Sequence, residues 1–263
     1  MTSSINGIPL KEIVSDGVKT NEIDIDKGSL LIGGVAEPHY STHFEWMTDF
    51  LGDLIPDEMS LKAGSGTGNA VALTTGHGGV IEIKTASDDG AITANASALE
   101  LTGLDFIPSS GAFEMEARLK LDAITDAYIF VGFTDATQAS TLEAPIFLVA
   151  GDIDSDATDA CGVCFDTDGT TSDLWFHGGV KAGTDTVPVY STKAPVAATY
   201  QTIRVKVGTA GTVQGFVDGV AIGDPVAAAC TAATALLPII VVANRGAAAR
   251  NVEVDYIRVL GTR

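Results

Sequence analysis

Three stretches decide the fold class: Tyr200-Gln-Thr-Ile-Arg-Val-Lys-Val207, then Val213-Gln-Gly-Phe-Val217 with Asp218-Gly219 behind it, and finally Val252-Glu-Val-Asp-Tyr-Ile-Arg-Val259. In the first, apolar Ile203, Val205 and Val207 alternate with polar Thr202, Arg204 and Lys206, the period of two that marks a half-buried strand. Asp218-Gly219 predicts a tight hairpin turn, because both residue types tolerate the positive φ that a two-residue turn demands.

The same alternation extends outward along the chain. Over residues 112–122, Phe113, Met115, Ala117, Leu119 and Leu121 share one face and Glu114, Glu116, Arg118 and Lys120 the other, so one face is packed and one is wet. Val80-Ile-Glu-Ile-Lys84 reads as a further strand. Tyr128-Ile-Phe-Val-Gly-Phe133 and Pro145-Ile-Phe-Leu-Val149 are almost continuously apolar and read as central strands buried on both sides. Gly162-Val-Cys-Phe165, Leu174-Trp-Phe176, Val187-Pro-Val-Tyr190 and Leu237-Pro-Ile-Ile-Val-Val242 complete a series with no long amphipathic helix, the pattern of an all-β sandwich or barrel. Phe44-Glu-Trp-Met-Thr-Asp-Phe-Leu-Gly-Asp-Leu54 is an aromatic cluster in which a short helix is expected. Residues 1–44 hold only brief alternations between glycines. They are expected to form an extended arm with one or two short strands, ahead of a single domain over residues 45–263.

The strand at 200–207, the Phe216-Val-Asp-Gly219 hairpin and the closing Val254-Asp-Tyr-Ile-Arg-Val259 strand resemble, in that order, the concanavalin A-like (laminin G-like) jelly-roll superfamily. The resemblance covers residues 45–263. In tailed-bacteriophage virion proteins with such a sandwich, an entry similar to Asp49-Phe-Leu-Gly-Asp53 precedes a glycine-rich stretch and a hairpin. Here Gly64-Ser-Gly-Thr-Gly68 and Val71-Ala-Leu-Thr-Thr75 follow.

A net charge of −19 argues against nucleic acid, whose phosphates are bound through Lys and Arg, and against anionic membrane surfaces. Between residues 121 and 180 there is no Lys or Arg but there are eleven acidic residues, a pattern read chiefly as a solvated face. The start, Met-Thr-Ser-Ser-Ile-Asn-Gly, lacks a basic segment followed by an apolar run, so no secretory signal is expected. Cys161, Cys164 and Cys230 cannot all pair within one chain, and synthesis in a reducing cytoplasm is expected.

Several groups invite a chemical reading. Glu22-Ile-Asp-Ile-Asp26 is similar to the Glu-x-Asp-x-(x)-Glu strand of laminarinase-type glucanases, but Asp26 stands where their last Glu would be. The motif also precedes the sandwich instead of lying in its concave sheet. The expectation is therefore that the chain is not an enzyme. Asp152, Asp154 and Asp156 have the alternation of a calcium loop, yet Ala157 and Val163 occupy the positions where an EF-hand needs Gly and Glu. An Asx-rich turn is the plainer reading, with calcium binding as the alternative, and no cofactor is expected. The thiols of Cys161-Gly-Val-Cys164 should face opposite sides of a strand. His77 and His177, each beside glycine, are read as turn residues. Trp175 is expected in the core.

The resemblance implies a structural virion protein at the capsid surface, a decoration (cement) protein bound across capsomers of the major capsid protein and forming a homotrimer. Apolar anchors in the arm, Ile5, Ile8, Leu10, Ile13, Val14, Leu30, Leu31 and Ile32, would form the interface. The alternative is a carbohydrate-binding module of a phage head or tail fibre.

Overall fold

The computed structural model describes the backbone of the strands within residues 4–32 and of His43. With side chains it describes residues 44–50, 55–74, 79–87, 92–136, 138, 142–169 and 174–262. The chain divides into two units, Met1–Thr42 and His43–Arg263.

In the first unit, Lys11–Ser15, Val18–Ile25 and Gly28–Ile32 form a three-stranded antiparallel sheet, and Ser4–Ile5 pairs with Ile8–Pro9. The backbone is thus richer in strand than the sequence reading expects. Leu10 and the side chains of Ile5, Ile8, Ile13, Val14, Leu30, Leu31 and Ile32, the expected anchors, lie outside the described residues. So do the side chains of Glu22, Asp24 and Asp26.

The second unit is a sandwich of two large antiparallel sheets, the jelly roll expected. The first runs Thr184–Asp185, Phe176–Lys181, Ala160–Asp166, Ala127–Thr134, Leu237–Asn244, Ser97–Leu101, Met59–Ala63. The second runs Val220–Ala221, Val213–Val217, Tyr200–Val207, Phe113–Leu121, Asn251–Thr262, Ile81–Lys84, Ala70–Leu73. The turn at Asp218 (φ 50°) and Gly219 (φ 76°) has the positive dihedrals its sequence predicts. Residues Met115, Ala117 and Leu119 point inward against Ile203, Val205, Val254 and Ile257, and from the facing sheet Ile129, Val131, Phe133, Val163, Phe165, Ile240 and Val242 close the core. Trp175 is fully buried in it.

The segment His43–Thr48 is a strand, not the short helix expected. It pairs with residues 257–262 of the closing strand while Ile81–Lys84 pairs with residues 251–254. Its alternation of half-buried Phe44 and Trp46 with exposed Glu45 and Met47 is the period of two, which no helix can place on one face.

Nor is Pro145–Val149 a central strand. Phe147–Val149 pairs only with Asp152–Asp154, and this hairpin lies over the outer face of the first sheet. There Leu142, Ile146, Leu148 and Ile153 cover Tyr128, Phe130, Cys164, Phe176, Ile239 and Val241 in a second apolar cluster. Full burial of each such side chain contributes about 1.5–3 kcal/mol. Two polar contacts fix the roof: Tyr128 Oη donates to the Ile146 carbonyl (2.9 Å), and the Leu148 amide donates to Asp166 Oδ2 (2.7 Å). Arg245 completes the arrangement, its Nε donating to Asp166 Oδ1 at 2.8 Å.

Beneath the roof, Gly132, Gly162 and Gly178 stand side by side on adjacent strands. A Cβ on Gly162 would come within 2.5 Å of the Val131 carbonyl oxygen and 2.6 Å of the Phe130 ring. Gly132 and Gly162 therefore make the trough in which the Phe130 ring lies, and Gly178 makes room for Ile153.

Candidate functional site

With the outer face of the first sheet roofed, two other surfaces of the sandwich carry unusual chemistry. One is a hollow at the end of the sandwich. The loop that crosses from Ser97–Leu101 to Phe113–Leu121 is tied to residue 236 by two backbone hydrogen bonds between Phe106 and Leu236 (2.8 and 2.9 Å). This holds the Phe106 ring 5.2 Å from that of Phe113 and 6.0 Å from that of Phe44. Gly261 makes room, since a Cβ there would stand 2.7 Å from the Phe106 ring.

Around these rings lie two adjoining cavities. One, of about 350 Å³, is lined by Leu104, Asp105, Ile107, Ser110 and Gly111; the other, of about 480 Å³, by Glu114, Lys206, Val207, Gly208 and Leu260. Both share Phe44, Phe113 and Thr262. Lys206 Nζ and Glu114 Oε2, 3.2 Å apart, form a polar rim on the second cavity, and the exposed Asp105 and Ser110 form one on the first. An apolar aromatic floor with a few convergent polar groups is the usual build of a small-ligand site.

The other surface is the outer face of the second sheet, a ladder of ion pairs, most of them between strands. Arg118 meets Asp255 (2.5 Å), Lys120 meets Glu253 (2.6 Å), Lys84 meets Glu82 (2.7 Å) and Arg258 meets Glu45 (2.9 Å). Aromatic rings lie between them. Arg118 stacks 4.4 Å from the Tyr200 ring centroid and Arg204 4.2 Å from that of Phe216. Tyr200 donates to Glu253 and Tyr256 to Glu116, each at 2.8 Å. Burial, reinforced by the hydrogen bond to Glu253, pushes the Tyr200 hydroxyl up to about 12.

The remaining expected groups fall elsewhere. Asp152 and Asp154 are exposed on the roof hairpin, and Asp156 accepts from the Ala144 amide at 3.0 Å. Among the described residues no three His, Cys, Asp or Glu side chains gather closely enough to hold a metal ion. Cys161, a free thiol like Cys230, faces the inter-sheet core, and the Cys230 thiol beside it together with burial pushes it up. Cys164 faces the opposite way, toward the Ile146 carbonyl.

His177 is not in a turn. It is fully buried on Phe176–Lys181, where Nδ1 accepts from the Gly215 amide (2.9 Å) and Nε2 therefore donates to the Asp224 carbonyl (3.1 Å). Gly215 permits this approach, as a Cβ there would stand 3.0 Å from the ring. Sequence reasoning missed the imidazole's role because its partners lie on another sheet and a distant loop.

Two acids near the roof also depart from their ordinary behaviour. Burial raises Glu100, which is 1% exposed and whose Oε2 has no hydrogen-bond partner, against the opposing pull of Lys62 and the Gln138 amide. Burial raises Glu143 too, helped by the like charges of Asp156 and Asp135.

No protein-family model and no curated protein matches this chain. Among solved structures, peanut lectin superposes with a TM-score of 0.57 at 12% identity, covering 84% of this chain and 97% of that one. The Emp47p carbohydrate recognition domain gives 0.54 at 15% identity, covering 82% and 95%. An endo-acting O-glycanase of the human gut microbiota gives 0.55 at 13% identity, covering 83% and 99%. The sandwich is thus the concanavalin A-like jelly roll, a fold carried by lectin-like recognition domains and by glycoside hydrolases. The expectation that the chain is not an enzyme is corrected on this ground, since a glycan-cleaving protein is built on the same architecture.

Proposed function

We propose that the sandwich recognises carbohydrate, and that the hollow around Phe44 and Phe106 is where the sugar sits. The observation that carries this reading is the hollow's chemistry. Phe106 and Phe44 supply an aromatic surface for the C–H face of a pyranose ring, while Asp105, Ser110 and the Glu114–Lys206 pair supply groups for its hydroxyls. The lectin-like neighbours support the reading at the level of fold.

Glycan-array binding followed by calorimetry on the best ligand tests it. Asp105→Asn, at an exposed position, should leave the melting temperature unchanged and weaken binding about tenfold or more, as expected for loss of a charge-assisted hydrogen bond of about 1.5–3 kcal/mol. Affinity unaltered in Asp105→Asn and in Phe44→Ala would remove the site from the hollow. Product analysis of the same incubations reports turnover, with Asp105 and Glu114, the acids that line the hollow, to be replaced first if any is seen.

A second reading is a virion decoration protein attached to the major capsid protein through the N-terminal unit. It is favoured by the division of the chain at Thr42, which gives attachment a unit of its own, and by the apolar residues of that unit from Ile5 to Ile32. Removing residues 1–42 should abolish attachment to purified particles while leaving the sandwich folded. Undiminished decoration by the truncated chain would transfer attachment to the sandwich.

A further inference from the structure

We propose that the outer face of the second sheet is the surface through which two copies of this chain pair. The argument begins with charge. On this face six cations (Lys84, Arg118, Lys120, Arg204, Lys206, Arg258) are matched by six carboxylates (Glu45, Glu82, Glu114, Glu116, Glu253, Asp255). The face is neutral, so the rest of the chain carries the whole net charge of −19. A contact through this face therefore sets alternating signs against alternating signs and brings no excess of like charge together. A face of alternating charge is complementary to its own copy turned about a twofold axis, the symmetry of an isologous pair.

Among the described residues, two features of the face lack a full complement. Arg204 makes no ion pair among the described residues; the register sets it between Glu116, whose Oε1 is taken by Tyr256, and Phe216, on which it stacks. Met47, opposite Arg258, is 55% exposed beside the half-buried Leu260. Arg, Met, Phe and Tyr are the residue types enriched at protein interfaces. Size agrees as well. Five strands about 4.8 Å apart and eight residues at about 3.4 Å make a face of about 650 Å², close to the about 800 Å² per partner of a standard interface. The hollow opens at the edge of this face, where Glu114, Lys206 and Leu260 line its second cavity; its other wall, residues 103–111, belongs to the loop between the sheets and stays outside the paired face.

Sedimentation equilibrium of the full chain over a range of micromolar concentrations decides the matter. At about 150 mM salt, where repulsion is screened beyond about 8 Å, the chain should sediment as a dimer. Arg204→Glu should weaken association at least about tenfold, whereas Lys181→Glu, the same charge change on an exposed residue of the first sheet, should leave it within about twofold. Met47→Glu, at an exposed position of the same face, gives the same expected loss should Arg204→Glu fail to fold. A monomer at every concentration, a trimer, or equal weakening by Lys181→Glu would overturn the proposal.

Discussion

Replacing Asp166 by Ala should cost about 3–5 kcal/mol of stability, the range seen when one member of a buried ion pair is removed. Asp166 is fully buried, and its two oxygens accept from the Arg245 side chain, the Leu148 amide and the Asp168 amide. Without the carboxylate, the Arg245 guanidinium, whose side chain is only 12% exposed, keeps its charge with just the exposed Asp168 nearby, and a buried amide loses its acceptor. The roof should loosen with it, because Leu148 is anchored there through both its amide and its carbonyl. Urea denaturation measures the loss, and limited proteolysis should open a cleavage site within residues 142–157. Removing Arg245 as well, in Asp166→Ala/Arg245→Met, should recover part of the stability by eliminating the uncompensated charge. A double variant no more stable than the single one would show that the carboxylate acts through the Leu148 amide alone.

The second large effect is a dependence on pH set by His177. Burial lowers this imidazole to about 4 in the folded protein, against the opposing effect of its hydrogen bond to the Asp224 carbonyl. The unfolded chain binds a proton near pH 6.5 that the folded chain does not take until about pH 4. Stability that is complete above 6.5 is therefore lost as the pH falls from 6.5 toward 4, by about 1.4 kcal/mol per unit and about 3 kcal/mol in total. Denaturation at a series of pH values, wild type against His177→Gln, isolates this contribution because the carboxylates common to both proteins cancel in the difference. Parallel curves for the two would mean that the imidazole is not the group responsible. The His177 contact joins the first sheet to the second at Gly215, so acid should weaken this edge of the sandwich before its centre.

Both effects arise from residues that the chain itself does not single out, and the reason is physical. Alternation along one strand reports which side chains share a face, and this was legible: the inward row of Phe113, Met115, Ala117, Leu119 and Leu121 and the turn at Asp218-Gly219 follow from the sequence directly. Period two is a local property, fixed by the backbone of the strand that carries it. A continuous apolar run is different. It says that a segment is buried on both sides, but not by what. Hence Tyr128–Phe133 is a central strand as expected, while Pro145–Val149, of like composition, lies on top of the sheet.

Partners distant in the chain were less legible still. The hollow draws together Phe44, Phe106, Phe113 and Thr262, and the pair Glu45–Arg258 on the charged face spans 213 residues. Composition showed an excess of negative charge but could not show that one face is free of it, because neutrality there depends on which strands are neighbours and in what register. By itself the sequence determined the strands of clear alternation, such as 113–121 and 200–207, their inward faces and the all-β class, since these depend on each residue's nearest chain neighbours. The roofed first sheet, the buried imidazole, the hollow and the neutral face were decided only by tertiary structure, because each is made of contacts between strands whose order in the sheets is not their order in the chain.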